Sequence, residues 1–405
     1  MRQIVLFDTE SVHADLLPIS YTRPVAAFRL GVRTLREQWE EIMPGEYFYR
    51  PVEFQQDKFG TCPAGAEDLL FVAGNLVPDE RLVEPIMGLQ SGEALMCGGR
   101  MVAFRGSERA LDAGEPEAVV ELPEGEAVLL EFAYDIFRNN AEVLKREYHR
   151  LTAGRTSAPL SDSNRVIGDL TDAEGHPMIF LEEGASVEGA IINVKEGPAY
   201  IGRDATVMEG SCLRGPIALC DHAQVKMGAM IYGGTTFGPY CKIGGEVQNV
   251  VIFGYSNKAH DGYLGNAVIG EWCNLGAGVN ASNLKNDYSK VRVWNYPRHS
   301  FMRTDLQFCG LIMADHSKAG INCMFNTATV VGVGVNLHGA GFPRVFVASF
   351  QEGSPAGGMT DVPLKKFYQI AERVMSRRGL TLTDADRRIY ERVYEVASRY
   401  KQPHK

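Results

Sequence analysis

The sequence predicts an α/β N-terminal domain, then a left-handed parallel β-helix of hexapeptide repeats, then C-terminal helices. Three observations carry this. Between residues 201 and 248 an apolar residue returns at every sixth position: Ile201, Val207, Leu213, Leu219, Val225, Ile231, Phe237 and Ile243. Before this stretch, over residues 1–155, short apolar runs alternate with helical stripes, the pattern of an α/β layer. After it, apolar residues fall at helical spacing: Leu364, Phe367, Ile370, Ala371 and Val374, then Ile389, Val393 and Val396.

A period of six fits neither a 3.6-residue helix nor a two-residue strand alternation. It fits a solenoid in which each six supplies one short strand and a corner. The large aliphatic points inward and stacks on its counterpart one coil below. The fifth position of each six is Ala205, Ser211, Ile217, Ala223, Ala229, Thr235, Cys241 and Val247, small or aliphatic each time, as a corner requires. Three sixes close one triangular coil.

Composition bounds the function. The 405 residues carry a net charge of −9 with a pI near 5.6, which argues against nucleic-acid binding through a basic face. The start, MRQIVLFDTE, reads as a buried strand rather than a signal peptide. No apolar run approaches the length of a membrane span. The eight cysteines form no CxxC pair, so reduced core thiols in a cytoplasmic protein are expected, with no metal site.

In chain order, residues 2–7 read as a strand and 15–25 as a loop holding Pro18 and Pro24. Residues 26–42 carry a helical stripe of Phe28, Val32, Leu35, Trp39 and Ile42. A strand at 68–73 leads to the Gly74–Asn75 turn and a helix from about Pro78. A hairpin spans 93–105 through Gly98 and Gly99, the acidic stretch 107–126 is surface, and 131–152 is a helix. These make a domain over 1–155, with a polar linker at 156–178 and the β-helix over 179–350. The sixes start faintly at Leu181 and Val187, break at 193–200, and run cleanly to 248. Fourteen residues, 249–262, then replace twelve, and the frame resumes at Tyr263, Ile269 and Leu275. A second break, 281–307, is rich in Asn, Lys and Arg, and the frame returns at Ala319, Phe325, Val331 and Leu337. Insertions of this kind leave a solenoid as loops where binding often occurs. The helical segment 361–402 holds two amphipathic helices meeting at Arg378–Gly379. Its basic residues Lys365, Lys366, Arg373, Arg377 and Arg378 read more simply as a solvated face than as a ligand site.

The chemistry concentrates at residues 258–283, KAHDGYLGNAVIGEWCNLGAGVNASN. His260 lies in the first break, where an irregular loop beside a regular scaffold can expose a histidine for proton transfer. A plain solvent-facing histidine fits that spacing equally well. His260 and Asn283 are separated by a little more than one coil, which could place them on adjacent coils of one edge.

These residues resemble the acetyltransferase domain of the GlmU family, bifunctional N-acetylglucosamine-1-phosphate uridylyltransferases and glucosamine-1-phosphate N-acetyltransferases. Lys258, His260, Tyr263, Leu264, Gly265, Ala267, Ile269, Gly270, Asn274, Gly276, Ala277, Gly278 and Asn283 match the family motif. A Gly before His260 is missing, and Val279 replaces a Thr. Asp315, His316, Ser317 and Lys318, with Phe325 and Asn326, extend the likeness to a branch with a shortened N-terminal domain. The resemblance implies that His260 is the general base toward an amino sugar 1-phosphate, with acetyl-CoA as cosubstrate. It implies that Asn283 orients the amine, Tyr263 positions the sugar phosphate, and the backbone at Ala277 lines the acetyl-CoA site. It also implies a homotrimer with the site between subunits. The family's phosphate-binding lysines do not align, which leaves Lys258, Lys285, Lys290, Arg292 and Arg303 as candidates. His316 is a second acid/base candidate, and a structural histidine fits the same position.

Leu17 to Pro24 (LPISYTRP) resembles a segment of sugar-1-phosphate nucleotidyltransferases. The Gly-rich loop that would cradle a triphosphate is absent, and Asp8, Thr9, Glu10 and Ser11 stand in its place. Val25 replaces the family's lysine, leaving Arg23 to supply its charge. Asn75 falls where the Mg²⁺-binding Asp belongs, and a neutral amide is the poorer ligand; Asp79 could substitute. UTP and Mg²⁺ therefore enter only if this domain is active. Two other readings stay open: a nucleotidyltransferase whose β-helix only assembles the oligomer, and a non-enzymatic solenoid scaffold.

Overall fold

The computed structural model describes residues 2–401, which form two compact units. Among the described residues the first comprises 2–28 and 33–132, the second 29–32 and 133–401.

The first unit is built on a six-stranded mixed sheet: β1 (Gln3–Phe7), β2 (Glu46–Arg50), β3 (Leu69–Ala73), β4 (Glu93–Cys97), β5 (Arg100–Gly106) and β6 (Ala118–Leu122), in the order β2-β1-β3-β5-β4-β6. β1 pairs in parallel with β2 and β3, and β5 is antiparallel to β3 and β4. The apolar run LLFVA makes β3, buried at every position, as a strand covered on both faces should be. β1, β3 and the β4–β5 hairpin stand where the apolar runs predict them. β2 and β6 carry no such run. EYFYR is half-buried and AVVEL is an almost fully exposed edge.

The stripe over 26–42 is helical only at Leu35–Ile42, which starts at a Thr34–Glu37 capping box. Gly31, at φ 75°, interrupts it, and Val32 packs with Leu144, Tyr148 and Phe180 in the second unit. The stripe therefore serves two cores. The helix expected from Pro78 is a 3₁₀ turn, Glu80–Leu82, followed by the short helix Val83–Met87.

The second unit is a left-handed β-helix with two helices after it. The helix Asp135–Thr152 groups with this unit rather than with the α/β sheet. Residues 156–178 are not a linker. Arg165–Ile167 pairs with Ile191–Asn193 as the first coil strand, and Ala158, Leu160 and Val166 pack on the coil core. A single coil shows too few sixes to reveal a period.

Three faces repeat up the coil, each with an inward column. The first runs Ile192, Leu213, Ile231, Val247, Leu264, Ala281. The second runs Leu181, Ile201, Leu219, Phe237, Ile252, Ile269, Met313, Val331. The third runs Val187, Val207, Val225, Ile243, Lys258. Each buried aliphatic contributes about 1.5–3 kcal/mol. Past residue 248 the inward residue is Leu264, not Tyr263, because the coils there are shorter: Ile231 pairs with Val247 and Val247 with Leu264. Tyr263 thus points outward.

Between the second and third faces, left-handed corner residues carry rings that stack coil on coil. His222–Tyr240, Tyr240–Tyr255, Tyr255–Trp272 and Trp272–His316 have centroids 4.5, 5.3, 4.3 and 6.0 Å apart, all within 20° of parallel. His316 is buried in this stack beneath Phe367 and Tyr390 of the C-terminal helices Leu364–Ser376 and Asp384–Ala397. Arg378, expected on a solvated face, instead lies half-buried, 5.9 Å from the Tyr240 ring centroid. The second break leaves the coil as a hairpin, Arg292–Asn295 against Ser300–Arg303. Its neck is closed by the Cys309 N–H donating to the Asn283 carbonyl at 2.9 Å. Cys212 is exposed and the other cysteines are buried. Burial pushes Cys241, Cys273 and Cys309 up to about 12, which makes them poor nucleophiles. Among the described residues no helix is long and apolar enough to cross a membrane.

Candidate functional site

His260 occupies the corner between the third and first faces and is exposed. The corner turns so tightly that Gly262 sits at φ 120°, where a Cβ would come within 2.1 Å of the Val279 carbonyl oxygen. One coil on, the Gly278 N–H donates to the Asp261 carbonyl at 3.0 Å, and Asn257 pairs with Asn274. That register stacks Ala277 on His260 at the same corner.

Tyr263 and Asn283 meet. The Asn283 amide donates to the Tyr263 hydroxyl and to Asn266 Oδ1, both at 2.8 Å, and the Tyr263 hydroxyl lies 3.3 Å from Gln248 Oε1. Asn266 Nδ2 in turn donates to the Asn249 amide oxygen at 3.0 Å, and Asn249 Nδ2 donates to the Phe137 carbonyl at 2.9 Å. This directed ladder uses both Asn283 N–H groups. Its Oδ1 is left to accept a hydrogen bond, as an amine requires. Among the described residues the His260 imidazole forms no hydrogen bond to either partner.

The phosphate candidates separate. Lys285 and Arg292 line a cavity of about 410 Å³ beside Ser282, Leu284 and Asn326, next to Asn283. Lys285 bonds Ser289 and pairs with Asp287. Lys290 is paired with Asp305 at 2.7 Å and lies outside this cavity, as does Arg303, which stands opposite Arg292 on the hairpin.

Lys258 is not a surface cation. It replaces an aliphatic in the third inward column, and its Nζ donates to the Gly244 and His260 carbonyls at 3.1 and 2.5 Å. Burial lowers its pKa to about 8, against a small opposing pull from Asp261. A base lowered in the folded state costs stability below that value and stops costing it as pH rises toward 10.5. Relative to Lys258→Met, which does not titrate, the native chain should therefore gain roughly 2 kcal/mol between pH 7 and 10 by urea unfolding, a figure reduced for partial screening.

The first unit holds a cavity of about 830 Å³ beyond the carboxyl ends of β1 and β3, the usual ligand position on an open sheet with parallel strands. Asp8 follows β1 and Asn75 follows β3; both line the cavity. Asp8 Oδ2 accepts from the Val25 N–H at 2.8 Å, while Oδ1 is buried without a partner. Burial pushes this carboxyl up to about 7, and the Val25 bond opposes it. Asn75 Nδ2 is committed to the Leu130 carbonyl at 2.9 Å. Asp79 caps a 3₁₀ turn, bonds Arg81 and does not line the cavity. Arg23 is buried and does not line it either.

Sequence reasoning missed Arg50 and Arg100 in the cavity wall. They project from β2, which no apolar run announced, and from β5. Both are ion-paired, Arg50 to Glu108 and Asp112, Arg100 to Glu131. A third cluster, also unforeseen, joins His149, Asp172 and His176, whose ligand atoms lie within 4.8 Å of one another and could hold a metal ion.

Residues 4–156 match the family model of sugar nucleotidyl transferases. No curated protein sequence matches the chain. Among solved structures, the chain is similar to AntD, an N-acyltransferase from Bacillus cereus in complex with dTDP and coenzyme A. The identity is 12%, the TM-score 0.22, and the match covers 48% of this chain and 92% of that one. It is also similar to the Arabidopsis UDP-N-acetylglucosamine acyltransferase, at 14% identity and a TM-score of 0.22, over 59% and 93%.

Proposed function

We propose that the chain is an acetyl-CoA-dependent N-acetyltransferase acting on an amino sugar 1-phosphate, glucosamine-1-phosphate first among them. The observation that carries this is the Tyr263–Asn283–Asn266–Asn249 ladder, which fixes the Asn283 amide on the face that begins at the His260 corner and leaves its Oδ1 without a hydrogen bond among the described residues. Asn283 Oδ1 accepts a hydrogen bond from the sugar amine and directs its lone pair. The amine nitrogen attacks the thioester carbonyl, its proton passes to His260, the C–S bond breaks, and the leaving thiolate takes that proton from the imidazolium, so coenzyme A leaves as the thiol. Much of the rate comes from holding amine and thioester together. Lys285 and Arg292 hold the sugar phosphate in the cavity beside Asn283. Tyr263 acts here through Asn283, as a positioning residue. Ala277, stacked on His260, presents the coil backbone to the thioester. The exposure of His260 suits a site completed by a second subunit, in a homotrimer.

The test is thiol release from acetyl-CoA that depends on the sugar phosphate; its absence with every amino sugar phosphate tried rejects the reading. Asn283→Ala should lower kcat/KM by roughly 10²-fold through misplacement of the amine, with native circular dichroism. An unchanged kcat/KM would remove Asn283 from the site.

A second activity, sugar-1-phosphate uridylyl transfer, is favoured by the family match over residues 4–156 and the cavity at the β1 and β3 ends. Its oxygen donors, Asn75, Glu10, Asp15 and Glu131, suit a hard cation such as Mg²⁺. When bound, Mg²⁺ would neutralise phosphate charge against this acidic wall. Arg50 and Arg100 would then orient the phosphates. Pyrophosphate release from UTP that needs both sugar-1-phosphate and Mg²⁺ tests it.

A further inference from the structure

A second cavity on the β-helix, of about 330 Å³, lies on the third face beside the ring stack. Its floor is an outward column: Lys242, Asn257, Asn274 and Lys318 stand in register on successive coils. Arg377 and Arg378, just past the helix Leu364–Ser376, line it from the side. Stacked strands are about 4.8 Å apart, so the two lysine backbones are about 14 Å apart, within reach of one extended anion.

No acidic residue lines this cavity. Glu271 and Asp315 act on Tyr255 and Cys273 behind it but form no part of the wall. Lys318 Nζ donates to the His316 and Trp272 carbonyls at 3.0 and 3.4 Å, and Arg378 to the Tyr240 carbonyl at 3.4 Å; none of the three bonds neutralises charge. Burial, then Arg378, Lys226 and Arg377, push the Lys242 ammonium below its usual range. Burial lowers the Lys318 ammonium as well. Four basic side chains are thus held together in a chain whose net charge is −9. Asn257 and Asn274 add side-chain amides to the same floor, whose N–H groups can donate to phosphate oxygens. Tyr255 and Trp272 already stack face to face, so they offer ring edges rather than a stacking platform for a base. The cations, not a base pocket, therefore set the ligand class.

We infer that this cavity is a binding site for the diphosphate group of a phosphorylated small molecule, held by Lys242, Lys318, Arg377 and Arg378. The inference is independent of the role given to His260. The diphosphate could belong to coenzyme A or to a nucleoside diphosphate.

Isothermal titration of the full chain with inorganic pyrophosphate, without Mg²⁺, tests it. A saturable site that weakens as NaCl rises is expected. Lys242→Gln and Arg378→Ala should each weaken that site at least tenfold, while Lys145→Ala, a helix-surface cation, leaves it unchanged. Displacement by adenosine 3′-phosphate 5′-diphosphate assigns the site to coenzyme A. Displacement by UDP assigns it to a nucleotide, and displacement by neither leaves pyrophosphate itself as the ligand. No saturable binding, or binding equal in native chain and both variants, overturns the inference. Circular dichroism of each variant separates lost binding from lost fold.

Discussion

His260→Ala should lower sugar-dependent thiol release by a factor of 10² or more, with unchanged circular dichroism and unfolding midpoint. The magnitude is that of a general base removed from a proton-transfer step. The structural cost should be small because the imidazole is exposed and makes no hydrogen bond among the described residues; only the His260 carbonyl is used, by Lys258. Added imidazole should restore part of the lost rate, because a free base can enter the space the side chain vacates. A tenfold loss with no rescue by imidazole would make His260 a binding residue. No loss at all would return it to a solvent-facing loop position.

Asp8→Asn should stabilise the first unit by about 3–4 kcal/mol at pH 8, with the gain vanishing near pH 4. An acid whose folded pKa is raised, here from 3.8 to about 7, binds a proton more tightly in the folded state than in the unfolded one. Stability is therefore greatest below the unfolded value and falls as pH rises through the folded one. Above pH 7 the full cost of a buried carboxylate is present, and each pKa unit is worth about 1.4 kcal/mol. The amide keeps an oxygen for the Val25 N–H and carries no charge. Urea unfolding at pH 4, 6 and 8, with hydrogen exchange at β1 and β3 to assign the transition, measures it. Equal gains at pH 4 and 8 would show that the charge is not the cause. Asp8 lines the cavity at the β1 and β3 ends; if uridylyl transfer uses that cavity through this carboxylate, the variant should also lose UTP-dependent pyrophosphate release.

The sequence by itself determined the architecture of the coil. A six-residue period between 201 and 243 permits one way of burying eight apolar side chains, and the inward columns follow it residue for residue. It also placed β1, β3 and the β4–β5 hairpin, whose apolar runs can be satisfied only in a covered sheet. It set His260 in the first break of the period, while Tyr263 and Asn283 were singled out by the family resemblance. Tertiary structure decided the rest, for physical reasons that a local pattern does not contain. Coils of unequal length shifted the frame, turned Tyr263 outward onto Asn283 and buried Lys258, which reads locally as a surface cation. β2 and β6 form because neighbouring strands need hydrogen-bonding partners, not because their own side chains seek a core. The stripe at 26–42 breaks because Val32 serves a different core from Leu35. The cations at 242, 318, 377 and 378 are scattered in sequence, and only the coil register and the end of a helix bring them to one cavity, since charge convergence depends on spatial neighbours rather than on spacing along the chain.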